Sequence, residues 1–198
     1  MKPAAVTAGL LLTAAFSLGG TAQAASSTDG TAPYSTSAAL NHQITYPRFL
    51  RFQVGAAGAG ISAINCDLSA QAANLGNGTD LPCTGGDVGG GASTVQVKSN
   101  AGQIRLTATT SGALVSGANT IPYTEIKTAT NDANLPAPLL PAAGGTSGSV
   151  NVALNAGSVT DRTASWTYTF DNTAVYRSGT YGGVNVNNGR VTYTASSP

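Results

Sequence analysis

Ser165-Trp166-Thr167-Tyr168-Thr169-Phe170 carries an aromatic side chain at every second position, with small hydroxyl residues between. A period of two places Trp166, Tyr168 and Phe170 on one face of a strand and Ser165, Thr167 and Thr169 on the other. Aromatic rings bury large areas, so this face is expected at the centre of a core between two sheets. The same period continues outward from it. Val150, Val152 and Leu154 alternate with Asn151 and Ala153 on one side, and Val191 and Tyr193 alternate with Thr192 and Thr194 on the other. From Ser149 to the C-terminus the chain therefore reads as strands of an all-β, antiparallel sandwich whose core aromatics are Trp166, Tyr168, Phe170 and Tyr193.

Composition agrees with that class. Only 9% of the 198 residues are charged and glycine alone numbers 25; helical bundles need far more Glu, Lys, Leu and Arg. The formal net charge is +1 and falls to zero if Lys2 is removed. A neutral surface has no electrostatic footprint for nucleic acid and no polybasic attraction to anionic lipid. Such a surface also favours self-association.

Met1 to Ala24 reads as a secretory signal peptide. Lys2 supplies the positive start, Ala4 to Leu18 an apolar and small run, and Ala22-Gln23-Ala24 a small-x-small cleavage site. The run is shorter than the ~20 residues of a membrane span. A mature chain beginning near Ala25, without further membrane insertion, is destined for the periplasm, the cell surface or the medium. Residues 25–39, mostly Ser, Thr, Ala and Gly, read as a flexible lead-in, and 40–198 as a single β domain.

The first strong strand is expected where Ile44, Tyr46, Leu50, Phe52 and Val54 share one parity, interrupted by Arg48. Pro47 has no N–H to donate, so this strand starts after it or lies on a sheet edge. The glycines from Gly55 to Gly60 lack the G-x-G-x-x-G spacing and the following helix of a dinucleotide loop, and read as a turn. Thr94–Val97 and Gln103–Ala108 are expected to pair as a hairpin around Ser99-Asn100-Ala101-Gly102. Ile121 to Ile126 reads as a short edge strand or extended segment with Tyr123 and Ile126 tucked in, and proline-rich Leu135 to Pro141 as a surface loop.

Cys66 and Cys83 are the two cysteines, which in an exported chain read most simply as a disulfide. Asp67, Asp80 and Asp87 lie near them and offer calcium-type oxygens, but without the tight alternation of an EF-hand loop, so no metal or other cofactor is assigned. Catalysis finds no constellation. His42 is the sole histidine and Glu125 the sole glutamate, no G-x-S-x-G elbow is present, and the cysteines are not C-x-x-C.

Gly179-Thr180-Tyr181 followed by Gly189-Arg190-Val191-Thr192-Tyr193-Thr194 resembles the closing strands of small secreted proteins of Gram-negative bacteria, in the spore coat protein U and archaic chaperone-usher pilin group. Val95-Gln96-Val97-Lys98-Ser99-Asn100-Ala101-Gly102 and Ile121-Pro122-Tyr123 are similar to segments of secreted domains of this type. The resemblance covers the C-terminal half. It implies a chaperone-assisted, incomplete Ig-like sandwich completed by the next subunit; the lead-in before Ile44 differs in lacking a clean alternating apolar donor set. The expected function is a non-catalytic structural or adhesive surface subunit whose partners are copies of itself or other envelope proteins. The alternative is a monomeric binding domain for a carbohydrate or another envelope component. There Tyr176, Tyr181, Asn185, Asn187 and Asn188 line a site at the loop end, tyrosine for stacking and asparagine for adaptable hydrogen bonds.

Overall fold

The structure, a computed structural model, describes residues 27–58 and 60–198; the expected signal peptide lies outside them. Residues up to Tyr46 form one compact unit and Pro47–Pro198 another. In the first, the Ser27 hydroxyl meets Thr36 at 2.6 Å and accepts from the Ser37 N–H, while Asp29 accepts from the N–H groups of Thr31 and Ser35. Residues 38–46 then belong to no helix or strand.

The second unit is almost entirely β. Its strands are β1 (Leu50–Val54), β2 (Ile64–Asn65), β3 (Leu81–Pro82), β4 (Thr84–Gly85), β5 (Ala92–Ser99), β6 (Ile104–Thr110), β7 (Leu114–Ser116), β8 (Asn119–Ile121), β9 (Ile126–Thr130), β10 (Gly145–Thr146), β11 (Val150–Val152), β12 (Thr160–Phe170) and β13 (Val191–Ser196). All pairings between these strands are antiparallel. One sheet runs β1-β5-β12, with β9 on the far edge of β12 and β3 extending the β5 side; a second places β6 between β13 and the β10–β11 edge. Two small pairs, β2–β4 and β7–β8, complete the described strands.

Both sheets feed one core. Val95 and Val97 from β5, Ala164, Trp166 and Tyr168 from β12, Ile104 and Leu106 from β6 and Val152 from β11 are buried together. The alternation explains this in each case, because β5 and β12 turn every second residue inward and keep Thr94, Gln96, Thr163 and Thr167 outside. Trp166 is fully enclosed. Its indole N–H donates to the Leu135 carbonyl at 3.2 Å, and its ring meets Tyr193 edge-on at 5.2 Å between centroids. Phe170 does not join this centre and instead packs with Leu81 and Ile121 in a second cluster.

Four sequence expectations change. The first strand begins at Leu50, after Pro47, and it is also an edge strand, so Ile44 and Tyr46 fall outside it and are exposed. β5 and β6 do not form a hairpin: the link through Ser99–Gly102 carries the chain from one sheet to the other, because both strands are interior and already paired on each side. The proline-rich stretch has no regular structure but is not merely superficial, since Leu135, Pro138 and Leu140 are buried. Between Ile121 and Ile126 lies a short 3₁₀ turn, Tyr123–Glu125, which buries the Tyr123 ring.

Two irregularities shape the sheet edges. Pro82 pairs with Thr169 and Ala92 with Thr167, so ten steps of one strand face two of the other. The surplus is the glycine-rich excursion from Cys83 to Gly91; the Cys83 N–H bonds the Tyr168 carbonyl and the Tyr168 N–H bonds the Gly91 carbonyl. Gly91 has φ of 74°, and a Cβ there would sit 2.6 Å from the Cys83 carbonyl oxygen, so only glycine closes the excursion. The second irregularity is a one-residue bulge. Thr146 faces Thr109 and Val150 faces Leu106, four steps against three, and the Ser147 hydroxyl accepts the Ala108 N–H there.

Candidate functional site

The cysteines form the expected disulfide. Cys66 and Cys83 are joined across 17 residues, with Cys83 buried in the main core and Cys66 packed beside it. The bridge ties the segment 66–80, which holds the 3₁₀ turns of Ser69–Asn74, to the end of the β12 sheet, and disulfides of this kind belong to oxidising compartments outside the cytoplasm. No helix among the described residues is long and apolar enough to cross a membrane.

The segment 66–80 rests against a second anchor that the sequence did not suggest. Asn172, next after Asp171 at the end of β12, has a fully buried side chain. Its Nδ2 donates to the Asn74 carbonyl at 2.6 Å and to Asn77 Oδ1 at 3.0 Å, while its Oδ1 accepts the Gly76 N–H at 2.8 Å. Each buried polar atom is thereby satisfied. The Asn77-Gly78 turn was visible in the sequence, but its partner 95 residues away was not.

The loop-end residues proposed for ligand contact are used within the fold. Tyr176 stacks edge-on against Phe170 at 6.4 Å between centroids, and Tyr181 packs on the same cluster while its hydroxyl donates to the Arg177 carbonyl. Burial and the neighbouring Glu125 push the Tyr176 phenol up. Asn185, Asn187 and Asn188 all take left-handed backbone conformations, which asparagine tolerates better than most residues. The Asn187 carbonyl accepts the Val115 N–H, and Asn188 binds the Ala113 carbonyl through Nδ2 and the Tyr123 hydroxyl through its carbonyl at 2.6 Å. The loop is thus fastened to the β7–β8 pair. Asn185 and Asn187 remain exposed.

The three aspartates read as calcium-type ligands are dispersed. Asp67 accepts the Ser69 N–H, which holds its carboxyl below the usual range. Asp87 accepts the Thr94 N–H at the foot of the glycine excursion. Asp80 pairs with Lys127 at 2.7 Å, and Lys127 also reaches Asp171 at 3.1 Å. These bonds raise the Lys127 ammonium, that to Asp80 first, and lower the Asp171 carboxyl. No group of three or more His, Cys, Asp or Glu side chains among the described residues is arranged to hold a metal. His42 lies in the exposed stretch before Pro47, whereas Glu125 lies in the 3₁₀ turn of the second unit.

The open strand edges form the other candidate. β1, β9, the β10–β11 side and β13 each pair on one side only. Edge strands offer unpaired N–H and C=O groups to any passing chain unless they are charged, bulged or short. β1 carries Arg51, β9 carries Lys127, and the β10–β11 edge is short and bulged. β13 has none of these protections: its six residues, Val-Thr-Tyr-Thr-Ala-Ser, run unbroken along β6 and contain no charge and no proline. Its inward side chains Val191, Tyr193 and Ala195 stay only partly buried, although Tyr193 reaches Tyr168 through its hydroxyl at 3.1 Å.

Opposite in character is the stretch before Pro47. Ala38, Leu40, His42, Ile44 and Tyr46 occupy one parity, and Ala39, Asn41, Gln43 and Thr45 the other. Leu40, Ile44 and Tyr46 are 79%, 89% and 72% exposed. Leu40, Ile44 and Tyr46 thus share one parity, interrupted at His42 and so not a clean apolar row, on residues assigned to no strand. Comparison with known proteins gives no match to a family model, a curated protein or a solved structure.

Proposed function

We propose that the chain is a non-catalytic structural subunit of an extracytoplasmic assembly, built as an Ig-like antiparallel sandwich and joined to its neighbours by strand addition. In this reading residues 38–46 of one copy lie along the free edge of β13 in the next. The observation that carries it is the unprotected β13 edge. Main-chain hydrogen bonds along such an edge supply affinity, and alternate side chains of the added strand supply fit. Leu40, Ile44 and Tyr46 would cover the half-open row Val191, Tyr193 and Ala195.

Three further observations support the proposal. Side chains from two sheets share one core, as in a sandwich. The disulfide suits an exported protein. The similarity of the closing strands to the pilin-like group implies the same kind of completion by a neighbour. The carbohydrate-binding alternative draws less support, because Tyr176 and Tyr181 are turned into the fold.

Sedimentation of the mature chain, from Ala25 onward and with its disulfide formed, tests the proposal. Ladders of oligomers that lengthen with concentration are expected. A monodisperse monomer across the micromolar range would overturn it.

A further inference from the structure

We propose that Asn77 is a self-modification site, where the fold promotes conversion of the side-chain amide to a carboxylate and accepts the product. Asn77-Gly78 and Asn188-Gly189 are the two Asn-Gly steps of the sequence. Glycine leaves its backbone nitrogen unhindered, so that this nitrogen can attack the carboxamide carbon of the asparagine before it. At Asn77 the new bond joins the Gly78 nitrogen to Cγ and closes a succinimide ring. The bond from Cγ to Nδ2 breaks, the proton of the Gly78 N–H passes through solvent to Nδ2, and ammonia leaves. Water then opens the ring at the side-chain carbonyl, returns a proton to the Gly78 nitrogen and leaves a carboxylate at position 77. Nothing is oxidised or reduced, and water is the one co-reactant.

The two nucleophiles start alike. The Gly78 N–H donates to the Asn172 carbonyl at 2.9 Å and the Gly189 N–H to the Val186 carbonyl at 2.8 Å. The carboxamides differ. Asn77 Oδ1 accepts the Thr79 N–H at 2.8 Å and Asn172 Nδ2 at 3.0 Å. The first bond folds the side chain back along the Asn77–Gly78 peptide, and both donors meet the oxygen on which negative charge develops as the ring closes. The departing nitrogen, Nδ2, has no hydrogen-bond partner among the described residues, and Asn77 is exposed. Gly78 is open as well, since a Cβ there would meet nothing within 4 Å, so solvent reaches the reacting atoms. Asn188 is held by its other end: Nδ2 donates to the Ala113 carbonyl at 2.9 Å, and Oδ1 has the Ser111 hydroxyl at 3.2 Å. Ammonia leaves Asn188 only after the bond to Ala113 is broken. The products differ in the same sense. A carboxylate at 77 keeps both donors and, being charged, binds them more strongly. A carboxylate at 188 has no proton to offer the Ala113 carbonyl and leaves it without that donor.

The experiment ages the full mature chain, disulfide intact, in mildly alkaline heavy-oxygen water and follows both steps by peptide mass spectrometry, with a parallel sample in denaturant. Exchange of NH2 for a heavy-oxygen hydroxyl is expected at Asn77 about tenfold faster than at Asn188 in the folded chain, and at similar rates in denaturant. Asn77→Asp is expected to keep the wild-type unfolding midpoint in urea and Asn188→Asp to lower it. Equal rates in the folded chain, an Asn77 amide that outlasts that of Asn188, or a difference that persists in denaturant would overturn promotion by the fold. An Asn77→Asp midpoint that falls as far as that of Asn188→Asp would overturn acceptance of the product.

Discussion

β12 and β13 carry nearly the same pattern, aromatic residues alternating with threonine, and they meet through Trp166, Tyr168 and Tyr193. Yet β12 is paired on both sides along its aromatic stretch Trp166–Phe170 and buries its inward row, whereas β13 is paired along one edge only and leaves Val191, Tyr193 and Ala195 half open. Alternation encodes which face a side chain takes; it does not encode how many neighbours the strand has. The number of neighbours comes from long-range pairing, and here it separates a strand with partners on both sides of its aromatic stretch from one that pairs along a single edge.

The comparison is broken most forcefully at Trp166. Trp166→Ala removes the largest fully buried side chain and takes from the Leu135 carbonyl one of its two donors, the Thr130 hydroxyl remaining, so urea unfolding is expected to show a loss of about 3–5 kcal/mol. Tyr193→Ala on the open strand should cost clearly less, because although its phenol end is buried against Tyr168, the residue as a whole keeps part of its surface exposed. Equal losses would mean that β13 is as much core as β12.

Removing the bridge with paired Cys66→Ser and Cys83→Ser changes comes next. The chain-entropy account gives about 3 kcal/mol for a loop of this size, read as a fall in the unfolding midpoint. Because Asn172 independently grips residues 74–78, the variant is expected to keep its β signature in circular dichroism below the lowered midpoint. Loss of that signature under native conditions would show that the bridge, and not Asn172, organises the segment.

What the sequence made legible follows the same division. Periodicity was enough to place Trp166, Tyr168, Val95, Val97 and Val152 facing inward, since each sits in a strand whose faces differ in polarity. Two cysteines in a chain whose start reads as an export signal were enough to expect the disulfide. Pairing was not legible: Ser99–Gly102 has turn composition, yet β5 and β6 are each claimed on both sides by distant strands. Asn172 was hidden for a related reason, because its partners lie 95 or more residues away. The row Leu40, Ile44 and Tyr46 was in plain view but is separated by Pro47 from the strand to which part of it was assigned.

A smaller effect is expected in alkali, and it again falls on both strands. Burial raises the phenols of Tyr123, to about 12, and of Tyr168 and Tyr193. Tyrosines of the unfolded chain ionise near pH 10, roughly their ordinary value, while these three remain protonated in the fold. The unfolded state then carries fewer protons, so stability is complete below the unfolded tyrosine range and declines as pH rises through it toward the folded values. Phenolate absorbance of the buried tyrosines should therefore appear together with unfolding. Full ionisation of all three while the fold stays intact would contradict their enclosure.

The smallest effect on stability is expected where the effect on assembly is largest. Thr194 points outward on β13, away from the row Val191, Tyr193 and Ala195. Thr194→Lys therefore removes no core contact, and the unfolding midpoint should shift by no more than about 0.5 kcal/mol in free energy. It does, however, give β13 the kind of charge that Lys127 gives β9 and Arg51 gives β1. If the lack of such a charge is what leaves this edge open to a second copy, the variant sediments as a monomer where wild type forms ladders. A control with Gln96→Lys, outward on β5 and paired with Gln53 on one side and Thr163 on the other, should leave the ladders intact. Should both lysines abolish assembly, the effect belongs to net charge, and the distinction between the open and the filled strand loses its role in association.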